Sequence, residues 1–109
     1  MIRLATHVWV SAYLARLRMA DIPAYVTAKG DPVSGAVVVK VATLDGRARA
    51  WQRGYDLMAD ARVWMVLAEG DEPDVDAGLR RQKLRDPDLW LIELEDRAGR
   101  TLLGEDGLD

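Results

Sequence analysis

Apolar and polar residues alternate along this chain with two periods, one helical and one extended. From about Thr6 to Ala20 apolar residues recur at helical spacing without Gly or Pro, and Asp21 and Pro23 close the run, which predicts a helix. Thr6 is expected as its N-cap, its hydroxyl accepting a bond from an orphan backbone N–H. At roughly 100° per residue, Val8, Trp9, Ala12, Tyr13, Ala15, Leu17 and Met19 cover more than half the circumference. The polar stripe is narrow: His7, Ser11 and Arg18, with Leu14 among them and Arg3 in line if the helix begins early. So wide an apolar arc predicts a helix largely buried against a sheet.

The extended period follows. Ala24–Lys29, Ala36–Leu44, Arg47–Tyr55, Arg62–Ala68 and Leu89–Glu95 read as strands by alternation and by Val, Thr, Tyr and Trp content. Gly30–Gly35 is a turn cluster. Asp45-Gly46 reads as a two-residue hairpin loop, and the three strands from Ala36 to Ala68, with their short connections, predict an antiparallel meander. Gly70-Asp71-Glu72-Pro73 opens a second helix running to about Arg85. Its acids crowd the first turn and its bases the last, as the helix dipole favours. Its apolar stripe, Val75 and Leu79, is thin, so it is expected to be half exposed. Thr101–Leu103 is a possible short edge strand, and Gly104–Asp109 reads as a frayed tail. The whole predicts one α+β domain over residues 1–109: a mostly antiparallel sheet of four to six strands with two helices, the first packed on the sheet.

A two-residue loop at Asp45-Gly46 sets a register. It pairs Leu44 with Arg47, Ala42 with Arg49, Lys40 with Trp51 and Val38 with Arg53. One face then carries Lys40, Arg49, Trp51 and Arg53; the other carries Val37, Val39, Val41, Ala48, Ala50 and Gln52 and is expected to be the core side. If Val63, Met65 and Leu67 join that core, Arg62 and Trp64 extend the basic face.

Composition limits what such a face can serve. With 109 residues the chain is one domain able to bury its own core, and a 30% charged fraction beside 50% hydrophobic residues is that of a globular protein. The absence of cysteine removes disulfides, thiolate metal sites and cysteine nucleophiles and favours a reducing compartment. A formal charge of −3 argues against a dedicated nucleic-acid binder without excluding a local basic patch. No apolar run is long enough to span a bilayer, and the N-terminal stretch resumes helical spacing where a signal peptide would end in a cleavage site. A cytoplasmic location without membrane association is expected.

The sharp reading of Lys40, Arg49, Arg53 and Arg62 around Trp51 and Trp64 is an anion platform, with forked guanidinium bonds and aromatic stacking surfaces. The plainer reading is that Arg stems lie on the Trp rings and their heads pair with Glu93 and Glu95 of the last strand. An oligomer interface stands between them, because exposed Trp and Arg are enriched at binding hot spots. The leading expectation is a non-enzymatic binding module using this face for a protein partner or a homodimer. The alternative is an anionic ligand or nucleic acid on the same face. A third class, a small hydrolase or transferase, would rest on His7 and Ser11, one helical turn apart on the stripe that also holds Arg18. No residue is placed to orient that imidazole, so no catalytic set is assigned. One histidine and no cysteine remove zinc, the Asp71–Asp76 acids lack calcium-loop spacing, and no phosphate-loop motif is present, so neither metal nor cofactor is expected.

Four segments in this order, HVWVSAYLARL, KGDPVSGAVVVKV, LDGRARA and DPDLWLIELEDRAGR, carry a resemblance. Together they resemble a family of short alphaproteobacterial proteins known only as a domain of unknown function, number 1491, over about Arg3 to Leu103. The resemblance implies a compact α/β-type domain and carries no activity, cofactor or residue role.

Overall fold

In the computed structural model residues 4–108 are described; Met1–Arg3 and Asp109 lie outside the described residues, and with them the alignment of Arg3 on the helix stripe. The first helical run forms α1 (Thr6–Met19). It buries Thr6, Trp9, Val10, Tyr13 and Leu17, a single i, i+3, i+4 stripe narrower than the expected arc. Val8 and Met19 stay exposed, and Leu14 packs against the core edge. Thr6 is not the N-cap. Ala5 holds that position, and the Thr6 hydroxyl donates to the Gly35 carbonyl at 2.7 Å, fastening the start of α1 to the 33–35 loop. No local pattern encodes a bond to a segment 29 residues away.

The extended runs form β1 (Ala24–Ala28), β2 (Val37–Ala42), β3 (Arg47–Asp56), β4 (Ala61–Asp71) and β5 (Trp90–Glu95), with α2 (Glu72–Arg85) between the last two. They make one five-stranded sheet in the order β1-β5-β2-β3-β4. The β2-β3-β4 meander is antiparallel, as is β1 with β5; β5 enters parallel to β2 after the α2 crossover. The fold is α+β with a mostly antiparallel mixed sheet. Residues 101–103 add no strand; Leu102 and Leu103 instead pack against the core.

Helices cover both faces of this sheet. On one, Trp9, Tyr13 and Leu17 of α1 meet Val39, Val41, Ile92 and Leu94; on the other, Val75 and Leu79 of α2 meet Val38, Ala48 and Ala50. Fully burying side chains of this size stabilises by about 1.5–3 kcal/mol each.

The hairpin register differs by one residue from the expected one. Its loop has three residues: the Thr43 N–H donates to the Arg47 carbonyl at 3.2 Å, so Ala42 opposes Ala48 and Lys40 opposes Ala50. The Asp45 carboxylate organises the loop, accepting from the Thr43 hydroxyl at 2.6 Å and the Arg47 N–H at 3.1 Å, bonds that hold its carboxyl below the usual carboxylate range. Leu44 and Gly46 adopt φ of 63° and 87° to close it. The consequence is a regrouping. Val37, Val39 and Val41 share the α1 face with Arg49, Trp51 and Arg53, while Lys40 shares the α2 face with Ala48, Ala50 and Gln52. The expected register assumed that one face meets water. With a helix on each side, hydrophobicity alone cannot choose between the two pairings.

Two further expectations give way. Met65 and Leu67 do not join the core: β4 is an edge strand, and at 52% and 40% exposure both face solvent beyond the cover of α2. The tail through residue 108 is docked rather than frayed, with Leu108 buried beneath α1.

Candidate functional site

Cross-strand neighbours in an antiparallel pair share a face, and this rule assembles the site. β3 and β4 place Arg53 opposite Trp64, Trp51 opposite Val66 and Tyr55 opposite Arg62. A bulge between Ala50 and Trp51 shifts the count, and Arg49 returns opposite Glu69. Arg49, Trp51, Arg53, Arg62 and Trp64 therefore share one face, but it is the α1 side of the sheet and not the face expected to lie away from the first helix; Lys40 does not join them.

Helix α1 completes the arrangement with a residue that sequence reasoning assigned to the core. Trp9 stacks on Tyr13 at 4.8 Å and tilts against Trp64 at 5.4 Å. The Arg53 guanidinium lies 5.4 Å from the Trp9 ring centroid and 4.8 Å from that of Trp64, so one cation packs beside both members of this touching ring pair. Its Nη2 makes a long 3.5 Å contact to the Leu108 carbonyl, which also accepts from the Trp9 indole at 3.2 Å. Arg49 sits 5.8 Å from the Trp51 ring and donates to Glu69 at 2.7 Å, an ion pair too exposed to hold much energy. The indole N–H groups of Trp51 and Trp64 are buried with no acceptor among the described residues. Each unpaired buried donor costs about 1–3 kcal/mol.

Between the start of α1, the 33–37 loop and the β3–β4 ribbon lies a cleft of about 700 Å³, within the size range of ligand sites. Trp9, Arg53, Arg62 and Trp64 line it, with Gln52 and Ser34. Two guanidinium groups beside aromatic walls are suited to hold a carboxylate or phosphate and to stack a planar or apolar group next to it.

The expected partners of the arginines, Glu93 and Glu95, are on the other side of the sheet. In the parallel β2–β5 register Glu93 adjoins Lys40 and Glu95 adjoins Ala42. Lys40, 3% exposed, donates to Asp76 at 2.5 Å, Glu72 at 2.7 Å and Glu93 at 2.8 Å. Burial pulls its ammonium pKa down, but the hydrogen bonds to Asp76, Glu72 and Glu93 outweigh it and hold the group above the ordinary lysine range. This cluster fastens α2 to the sheet beside a second cleft of about 530 Å³, floored by Val38, Leu79 and Leu91.

His7, Ser11 and Arg18 are exposed on the outer stripe of α1, and none lines either cleft. Trp9 and Leu108 are the members of the site that sequence reasoning missed. A tryptophan on a helical apolar stripe carries no mark separating a site residue from a core residue, and a polar tail gives no sign of docking. No helix among the described residues is long and apolar enough to cross a membrane.

The sequence model of a family described as "Protein of unknown function (DUF1491)" matches residues 4–104. No curated protein is a significant match. Among solved structures, the crystal structure of a DUF1491 family protein from Caulobacter crescentus is similar, with 39% identity over 95% of this chain and 96% of that one and a TM-score of 0.82. An NMR structure of a DUF1491 family protein from the same organism has 38% identity over 96% of each chain and a TM-score of 0.81. A solution structure of a protein from A. tumefaciens has 28% identity over 86% of each chain and a TM-score of 0.71.

Proposed function

This chain belongs to the DUF1491 family, whose description names no activity, and from the geometry we propose that it is a non-enzymatic binding module whose Trp/Arg cleft receives an anionic group of its partner. The observation that carries this reading is Arg53, packed against the paired rings of Trp9 and Trp64 at the wall of an open cleft that Arg62 also lines. Contact with both rings holds the guanidinium in advance, so little side-chain entropy is lost when an anion docks on it. The cleft is concave, which favours a protruding anionic group over a flat protein surface. The cysteine-free composition fits a cytoplasmic setting.

The test is a low-salt titration with pyrophosphate, a single-stranded oligothymidylate and poly-glutamate, followed by tryptophan fluorescence and indole NMR shifts. At least one should bind, weaken as salt rises, and bind less to Arg62→Glu. Unmoved indole signals with all three would refute the reading.

Self-association is the second reading, favoured by the β3–β4 ribbon. Leu57 and Met58 at its tip are 85% and 97% exposed, and Met65, Val66 and Leu67 follow on an edge strand. Light scattering after size exclusion at high micromolar concentration should then detect a dimer that Met65→Lys disrupts; a strict monomer ends it.

A further inference from the structure

We infer that the acidic C-terminal segment, Gly104–Leu108, is a built-in occupant of one wall of this site, and that the partner it stands in for is an acidic peptide with a leucine-type anchor. The inference rests on the Trp/Arg cleft being the binding surface and names the chemistry that surface recognises.

The contacts define the mode. Leu108 is 1% exposed although residues 104–107 before it are exposed, so one side chain acts as an apolar plug. Its carbonyl accepts from the Trp9 indole and meets Arg53, two residues that line the cleft. Upstream, Arg16 pairs with the Glu105 carboxylate at 3.1 Å and donates to the Asp106 carbonyl at 3.1 Å. Gly107 itself forms part of the cleft wall. A short chain segment therefore presents a carboxylate, backbone carbonyls and a leucine to Arg16, Arg53 and Trp9. Those are the elements by which an acidic peptide from another molecule would be held.

The hold is also releasable. Apart from Leu108 and the bonds to its carbonyl, the segment is tied to α1 through Arg16, by an exposed hydrogen bond to the Asp106 carbonyl and an ion pair whose partners are 39% and 49% exposed, which solvent and salt weaken. Gly104 and Gly107, at φ of 85° and 87°, let the segment turn where other residues would be strained. An intramolecular occupant lowers the apparent affinity for an outside peptide by the fraction of molecules in which the segment is released.

The test uses the full chain and a fluorescein-labelled peptide of residues 101–109, followed by anisotropy. Wild type should bind weakly. Leu108→Ser, which removes the plug, and Glu105→Arg, which reverses the exposed ion pair without touching the core, should each bind about tenfold or more tightly. A peptide with serine in place of its leucine should lose binding, and Arg16→Glu added to the Leu108→Ser chain, in which the segment is already released, should weaken it. If folded Glu105→Arg and Leu108→Ser bind the peptide no better than wild type, the inference is overturned; Glu105→Arg alone decides it should Leu108→Ser not fold. Pyrophosphate binding to the same samples separates the failures: retained, only the peptide assignment falls; absent as well, the anion-binding reading falls with it. An oligothymidylate that binds where the peptide does not would also overturn the peptide class.

Discussion

Lys40→Met removes the charge at the centre of the α2 side while keeping most of the stem packing. Three carboxylates, Glu72, Asp76 and Glu93, then lose their shared cation. Breaking a buried charge cluster from one side costs about 3–5 kcal/mol when the remaining charge is fully buried. Here the three side chains are 36%, 33% and 35% exposed, so water recovers part of their solvation. The expected loss at neutral pH is therefore about 2–3 kcal/mol. For a domain of this size that lowers Tm by roughly 10–15 °C. Urea unfolding followed by tryptophan fluorescence measures it, with an unchanged m-value showing that the two-state reference is intact. Glu93→Gln should cost less, about 0.5–1 kcal/mol, because two carboxylates remain on the ammonium. The pH dependence has a definite sign. The folded pKa of Lys40 lies above its unfolded value, so its contribution is complete below about pH 10.5 and is lost as pH rises through the folded value. Wild type should lose stability in that alkaline window more steeply than Lys40→Met. A Lys40→Met protein within 0.5 kcal/mol of wild type at unchanged m, given costs of about 3–5 kcal/mol for broken buried pairs, would show that the cluster does not hold α2 to the sheet.

Burial pushes the Tyr13 phenol far above its ordinary range, and its hydroxyl donates to the Thr101 carbonyl at 2.7 Å. Because only the unfolded chain ionises above about pH 10, Tyr13→Phe should flatten the alkaline limb of a pH–stability curve, while costing about 1 kcal/mol at neutral pH. Gly30→Ala should prevent folding, as judged by circular dichroism and soluble yield, because the new Cβ would lie 1.9 Å from the Asp88 carbonyl oxygen. Leu44→Asn should stabilise by about 0.5–1 kcal/mol in urea melts, since asparagine tolerates the φ of 63° that strains leucine. A destabilised Leu44→Asn protein would mean that the three-residue loop does not control the hairpin.

Local chemistry made most elements legible. Helix α2 follows from Pro73 after an acidic start, and basic residues gather towards its end. The strands follow from alternation, and the meander from their short connections. The shared face of Arg49, Trp51 and Arg53, and that of Arg62 and Trp64, was legible too, because residues two apart on a strand stay together whatever the pairing, although joining the two sets took the bulged β3–β4 register. What those residues face was not. A helix on each side of the sheet makes both faces apolar, so the valines of β2 are compatible with either register. The choice fell to the Thr43–Asp45–Arg47 hydrogen bonds of a three-residue loop.

By itself, then, the sequence determined the order and type of the elements and which residues within each strand share a face. These depend on neighbours along the chain and on side-chain period. Only the tertiary structure decided that Lys40 belongs to a carboxylate cluster under α2, that Arg53 packs against Trp9, and that the Leu108 carbonyl meets both. The Trp9–Leu108 contact spans 99 residues, and burial at that separation is set by how the helices lie across the sheet, not by any pattern a local stretch can carry.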